Sequence, residues 1–159
     1  MLRIRERGIT VNKILKIEEI GNLKLQPTYN ENLGLKGMID SLYGYGEYDG
    51  YKVESEQGNV QILITNGQSC CESYGYFSTE DDLQRFIGAE LLDIELTDTA
   101  LKTEPIDEIQ YLDEGGVQFI TFKTSKGVFQ LAVYNGHNGY YGHGIYIFRN
   151  GECILNSVL

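Results

Sequence analysis

The sequence predicts an α+β protein, mainly antiparallel β-sheet built from hairpins, with one or two short helices packed on it. Three observations predict this class. Nineteen glycines and twelve tyrosines stand beside two prolines and no tryptophan, a composition of short strands and many turns, because glycine supplies positive φ and tyrosine suits a pleated surface. Several stretches alternate apolar and polar residues on either side of a turn signal, as hairpins do. One stretch brackets an apolar face between a helix start and a helix stop.

Taken in chain order, the first fifty residues fix no element type. "TVNKILKIEEIGNLKL" fits an amphipathic helix or a strand, and "LGLKGMIDSLYGYG" reads as one short helix. The glycine-rich "YGYGEYDGY" leads into the first hairpin: a strand near Tyr51 to Glu54, a turn at Gln57-Gly58-Asn59 and a return near Val60 to Thr65. In "STEDDLQRFIGAELLDIELTD", Ser78 or Thr79 caps a helix, Glu80, Asp81 and Asp82 fill its first turn, Leu83, Phe86 and Ile87 form its face, and Gly88 ends it. Leu92, Ile94 and Leu96 then alternate with Asp93, Glu95 and Thr97, the pattern of a half-buried strand. A loop or a short helical excursion follows after Pro105.

The second hairpin places Val117, Phe119 and Thr121 on one face, turns at Ser125-Lys126-Gly127 and returns over Val128 to Tyr134. The third, "GIYIFRNGECIL", turns at Asn150-Gly151, the strongest turn signal in the chain. With 159 residues the reading is one domain over 1–159, an N-terminal segment 1–50 followed by a β-rich core 51–159.

Charge and composition exclude several classes. The formal net charge is −10, and the excess acid lies after residue 50, so the surface repels nucleic acid backbones. No apolar run approaches about 18 residues. The apolar stretch after Arg3, Arg5 and Arg7 is broken by Asn12, Lys13 and Lys16, unlike a secretory signal. Three cysteines, an odd number without repeated spacing, argue against a secreted disulfide framework. The expectation is a cytoplasmic protein with no membrane and no nucleic acid partner.

Two segments concentrate the chemistry. "TNGQSCCESYGYF" sets Cys70 beside Cys71, then Glu72 and Tyr74; "YNGHNGYYGHG" holds Asn135, His137, Asn138, Tyr140, Tyr141 and His143 between two strands. A disulfide between neighbours requires strained geometry. Zinc ligands come in pairs two to four residues apart, which neither the cysteines nor the histidines match. A nucleophilic thiol needs His137 or His143 within reach, and Glu72 puts like charge beside the thiolate, which disfavours it. Cys153, on an apolar strand face, reads as a small buried side chain. The expectation is therefore no metal, no cofactor and no catalytic residue.

Phosphate loops of the GxxxxGK[ST] or GxGxxG kind are missing, and the acids of the predicted helix would repel an anion at its N-terminus. The second segment is either a plain glycine-rich connection or a recognition loop, since asparagines offer donors and acceptors and tyrosines offer flat faces.

Together "NGQSCCESYGYF", "LQRFIGAELLDIEL" and "FITFKTSKGVFQLAVYNGHNGYY" resemble a family of small uncharacterised proteins from bacteriophages and Firmicutes, on Cys70, Cys71, Glu72, Ile87, Gly88, Asn138, Gly139, Tyr140 and Tyr141. The resemblance covers residues 55–147, and His137 and His143 stand outside its pattern. It implies no assigned activity. By analogy with small phage proteins that sequester nucleotide immune signals, the expected function is a non-enzymatic binding protein of phage or prophage type. Its expected ligand is a nucleotide-like molecule of the bacterial host, held by Cys70, Glu72, Tyr74, Arg85, Asn135, Asn138, Tyr140, Tyr141, His143 and Arg149. In that scheme the tyrosines stack on a base, the asparagines bond base or ribose edges, and Arg85 or Arg149 meets phosphate. The alternative is an acidic inhibitor of a host enzyme or nuclease. Exposed strand edges add the expectation of a homodimer.

Overall fold

The structure is a computed structural model that describes residues 2–4, 12–24, 47–67, 72–109, 112, 115–136 and 142–159. Among these residues ten strands run in chain order: β1 (Leu2–Ile4), β2 (Ile14–Lys24), β3 (Glu47–Ser55), β4 (Gly58–Thr65), β5 (Ser73–Ser78), β6 (Leu91–Thr97), β7 (Gly116–Thr124), β8 (Gly127–Gly136), β9 (Gly144–Arg149) and β10 (Glu152–Val158). They form two five-stranded antiparallel sheets. The first has the order β1-β6-β7-β8-β5 and the second β10-β9-β4-β3-β2.

Alternation dictates how the sheets pack, since every second side chain of a strand points to the same face. From the second sheet Val53, Ile62, Ile64, Ile145, Ile147 and Leu155 enter a common core with Ile94, Ile120, Phe122, Phe129, Leu131 and Val133 of the first. Phe122 and Phe129 stack there with centroids 4.7 Å apart. The two sheets thus lie face to face around one core. On its other face the second sheet carries a smaller cluster of Tyr48, Leu63, Tyr146 and Phe148.

All three predicted hairpins form. Ser55 pairs with Gly58, Thr124 with Gly127 and Arg149 with Glu152, each across a two-residue turn. Asn150 (φ 49°) and Gly151 (φ 84°) both take positive φ, which the tightest hairpin turn requires. The Asn150 side chain also accepts from the Asn59 amide at 2.9 Å and donates to the Gln57 carbonyl at 3.3 Å, so one turn fastens another.

The helical part of the α+β expectation is corrected. The segment after Ser78 makes only a 3-10 turn, Leu83–Phe86, capped by Asp82, whose carboxylate accepts from the Gln84 amide. The acids precede the turn instead of filling it. Long-range bonds cut it short: Gly88 N–H donates to the Ile14 carbonyl at 2.7 Å, and Gln84 Nε2 donates to the Ile17 carbonyl at 3.3 Å. Near Pro105 there is a single α turn, Glu104–Asp107. The described residues are therefore mostly antiparallel β-sheet, with helical turns as connections.

Two further readings change. "ILKIEEIGNLK", ambiguous in sequence, is the edge strand β2. In β6 the register shifts between Leu91 and Asp93, and this bulge turns Leu92 outward, where it is 60% exposed. The helix expected within "LGLKGMIDSLYGYG" lies outside the described residues.

Candidate functional site

Residues on either side of the two notable loops meet at one end of the sandwich. β5 pairs with β8 so that Tyr74 lies opposite Asn135, and β9 pairs with β4 so that Ile145 lies opposite Ile64. Glu72 precedes β5 and His143 precedes β9, which puts both at the same rim. His143 Nε2 is 3.7 Å from Glu72 Oε2, with both side chains buried. Asn135 Nδ2 donates to that carboxylate at 3.2 Å. Tyr74 lies face to face with the imidazole, centroids 4.1 Å apart and planes 12° apart.

Thr65, the last residue of β4, holds the ring from the other side. The His143 Nδ1 lies 2.5 Å from the Thr65 carbonyl, and the Thr65 hydroxyl accepts from the Gly144 amide at 2.8 Å. A carbonyl can only accept, so Nδ1 carries the hydrogen. Nε2 then faces the carboxylate, and the contact is attractive when a proton lies between the two atoms. Removing this ring would leave a buried carboxylate without that partner.

A polar layer continues along the same end. Asp49 Oδ1 accepts from the Asn22 amide at 2.9 Å and from Asn66 Nδ2 at 2.9 Å. Tyr76 donates to Glu19 at 2.6 Å, a bond that ties the edge strands of the two sheets. Burial raises the Tyr74 hydroxyl well above the ordinary tyrosine range, with the Asp49 charge adding to it. Burial also raises Tyr76, reinforced by its bond to Glu19. Tyr51, edge-on to Tyr76 at 5.9 Å, is pushed up to about 12, mainly by burial. Sequence reasoning missed Thr65, Asp49, Asn66, Tyr76 and Glu19. The Asn66-Gly67 turn signal beside the cysteines was the one local hint of this layer.

The structure brings together Glu72, Tyr74, Asn135 and His143 from the predicted set. It does not bring the arginines to them. Arg149 ends β9, about 17 Å along the strand from Gly144. Arg85 lies over the Phe86 ring at 4.8 Å, pairs with Glu80 at 3.4 Å and sits beside Gly127, the far end of β8 from Asn135. Arg149 sits at the opposite end of β9, and Arg85, in the 3-10 turn, beside the opposite end of β8, because register fixes one end of a hairpin against the other. Cys70, Asn138, Tyr140 and Tyr141 lie outside the described residues, as do Cys71 and His137.

Cys153 is half-buried against the outer cluster of the second sheet. Burial raises its thiol above the ordinary range. Among the described residues no group of three or more His, Cys, Asp or Glu side chains is placed to hold a metal. No helix among them is long and apolar enough to cross a membrane.

A groove of about 300 Å³ runs between β2 and the segment after β5, lined by Glu18, Glu19, Glu80, Asp81 and Asp82 with Tyr51 at its wall. Some of this charge is balanced: Glu80 lies 3.6 Å from Lys102 as well as beside Arg85, and Lys16 pairs with Glu18.

The family model described as "Domain of unknown function (DUF7448)" matches residues 10–147, and the chain belongs to that family. The match extends N-terminally beyond the stretch 55–147 that carried the resemblance to uncharacterised proteins. No curated protein matches the chain, and no solved structure matches it.

Proposed function

We propose that this member of an uncharacterised family is a non-enzymatic binding protein of phage or prophage type. It captures a small nucleotide-like molecule in the cytoplasm of a bacterial host, in an anti-defence role. One observation carries this reading: the buried Glu72, His143 and Asn135 network, which plants residues 72 and 143, the two loop roots, side by side. Rigid strands presenting adjacent loops are a usual support for recognition. Glu72 and Asn135, buried and bonded to each other at 3.2 Å, brace those roots beneath the loops that would meet the ligand. Phosphate is no longer assigned to Arg85 or Arg149, both of which lie away from this end.

Calorimetry with a panel of cyclic nucleotides and cyclic ADP-ribose isomers, at tens of micromolar protein, tests the reading. A saturable exotherm with one of them is expected. No heat with any would end it.

The acidic groove supports a second reading, an inhibitor that docks a basic surface of a host enzyme or nuclease against Glu18, Glu19, Glu80, Asp81 and Asp82. Such a complex weakens steeply as salt rises and needs no small ligand. In either reading the edge strands β2 and β5 offer a route to a homodimer, which sedimentation velocity would reveal as a species of twice the chain mass.

A further inference from the structure

Among the described residues each sheet ends in two edge strands, β1 and β5 in the first and β10 and β2 in the second. Open edges invite pairing with other chains, and proteins blunt them with charges, bulges or short length. Three of these four edges are blunted. β2 shifts register twice, takes positive φ at Asn22 and carries Lys16, Glu18, Glu19 and Lys24. β10 shifts register once, and β1 is three residues long. β5, with the sequence SYGYFS, has no charge and pairs with β8 over six residues without a shift.

The direction of its backbone groups follows from one bond. Thr79 N–H donates to the Gln130 carbonyl at 3.0 Å, continuing the register that sets Ser78 opposite Leu131. In an antiparallel ladder, residues that bond the neighbouring strand alternate with residues that do not. The amides and carbonyls of Tyr76 and Ser78 therefore point away from β8, out of the edge. Side chains alternate separately. Tyr74 and Tyr76 pack on the core side, where the Tyr76 hydroxyl reaches Glu19 of β2 at 2.6 Å. Ser78 lies in the wall of the acidic groove with Glu18, Glu19, Glu80 and Asp81. That wall contains no basic residue; Lys16, Arg85 and Lys102 meet its acids from outside it. A strand added to β5 would set its residues opposite Tyr76 and Ser78 on this same side, at the groove.

We infer that β5 is a docking edge for an extended basic segment of a partner protein. The segment adds as an antiparallel strand, exchanges backbone bonds with Tyr76 and Ser78, and lays alternate lysines or arginines over the acidic groove. This rests on the second reading above, in which a basic partner meets that groove, and specifies how the partner is held. A second copy of this chain would bring the same acids to the edge, so charge ranks a basic strand above self-pairing there.

The probe is a capped peptide of alternating lysine and valine, about seven residues long to match β5, titrated into the full chain at low salt up to about 1 mM. In the antiparallel arrangement its lysine amides face β5 and its valine amides face away. Saturable binding is expected, with slowed hydrogen exchange at the Tyr76 and Ser78 amides. Methylating the valine backbone nitrogens should leave affinity within about threefold, whereas methylating the lysine backbone nitrogens should abolish binding. Asp81→Lys, at an exposed position of the groove, should weaken binding by about fivefold or more.

Equal binding of the two methylated peptides, lost as salt rises, would overturn strand addition and leave the groove as a docking site for basic surfaces. No binding of any of the peptides would overturn both. Undiminished binding by Asp81→Lys would take the lysines off the groove and overturn the inference. So would a dimer in sedimentation velocity that protects the Tyr76 and Ser78 amides and that the peptide leaves intact, since a second copy would then hold the edge.

Discussion

Tyr74 lies flat against His143, with ring centroids 4.1 Å apart, although Tyr74 is in the first sheet and His143 immediately precedes β9 of the second. Through that contact β5 of the first sheet is held to the start of β9 in the second. The Glu72 carboxylate lies 3.7 Å from Nε2 of the same imidazole, and the Thr65 carbonyl holds Nδ1.

His143→Ala should therefore destabilise the protein by about 3 kcal/mol, since it removes a buried, stacked ring and the Nδ1 bond to the Thr65 carbonyl. Tyr74→Leu alone should cost less. A double-mutant cycle by urea unfolding should give a coupling of about 0.5–1.5 kcal/mol between Tyr74 and His143. Strict additivity would mean that the rings do not support each other.

Gly50 adopts φ +147°, and a Cβ there would sit 1.9 Å from the Ile62 carbonyl oxygen. Gly50→Ala should lower the melting temperature steeply or prevent folding, because backbone on the neighbouring strand cannot step aside. At Gly67 an added Cβ would meet nothing within 4 Å. It is the matched control, and its alanine variant should melt close to the parent.

Alkaline pH should unfold the protein through its buried tyrosines. Tyr51 is raised to about 12 in the fold against about 10 in an open chain. A raised folded value means that the stabilisation is complete below about pH 10 and is lost as pH climbs from about 10 through about 12. Tyrosinate absorbance should thus show a normal fraction followed by a late fraction that coincides with loss of the sheet signal in circular dichroism. In Tyr51→Phe the late fraction should shrink; an unchanged profile would count against its burial.

Cys153 should react slowly with an alkylating reagent at neutral pH, because burial raises its thiol and lowers the thiolate fraction. Peptide mapping after brief treatment should find it less modified than a free thiol standard, and urea should remove the difference. Rapid labelling in the folded protein would show that this strand edge opens.

Asp82 caps the 3-10 turn through the Gln84 amide at 3.0 Å. Asp82→Ala should cost about 1 kcal/mol, and Asp82→Asn, which keeps an acceptor, should cost less. Thermal unfolding of the two variants separates loss of the cap from loss of charge in the acidic groove.

What the sequence determined by itself was local. Period-two alternation and the turn signals Gln57-Gly58-Asn59, Ser125-Lys126-Gly127 and Asn150-Gly151 specify three hairpins, whose first two turns form at Glu56-Gln57 and Ser125-Lys126, because the residues that decide them lie within a few positions of each other. Tertiary structure decided everything that depends on distant partners. Gly88 bonding to Ile14 reduced the expected helix to one turn, and the bulge at Leu91 to Asp93 sent Leu92 to solvent. The pairing of β4 with β9 carried His143 to Thr65 and Glu72, while the same strand directions carried Arg149 to the other end. A side chain's face is set by its neighbours in sequence, but which end of which strand it meets is set by register between strands, and that is a property of the packed sheets alone.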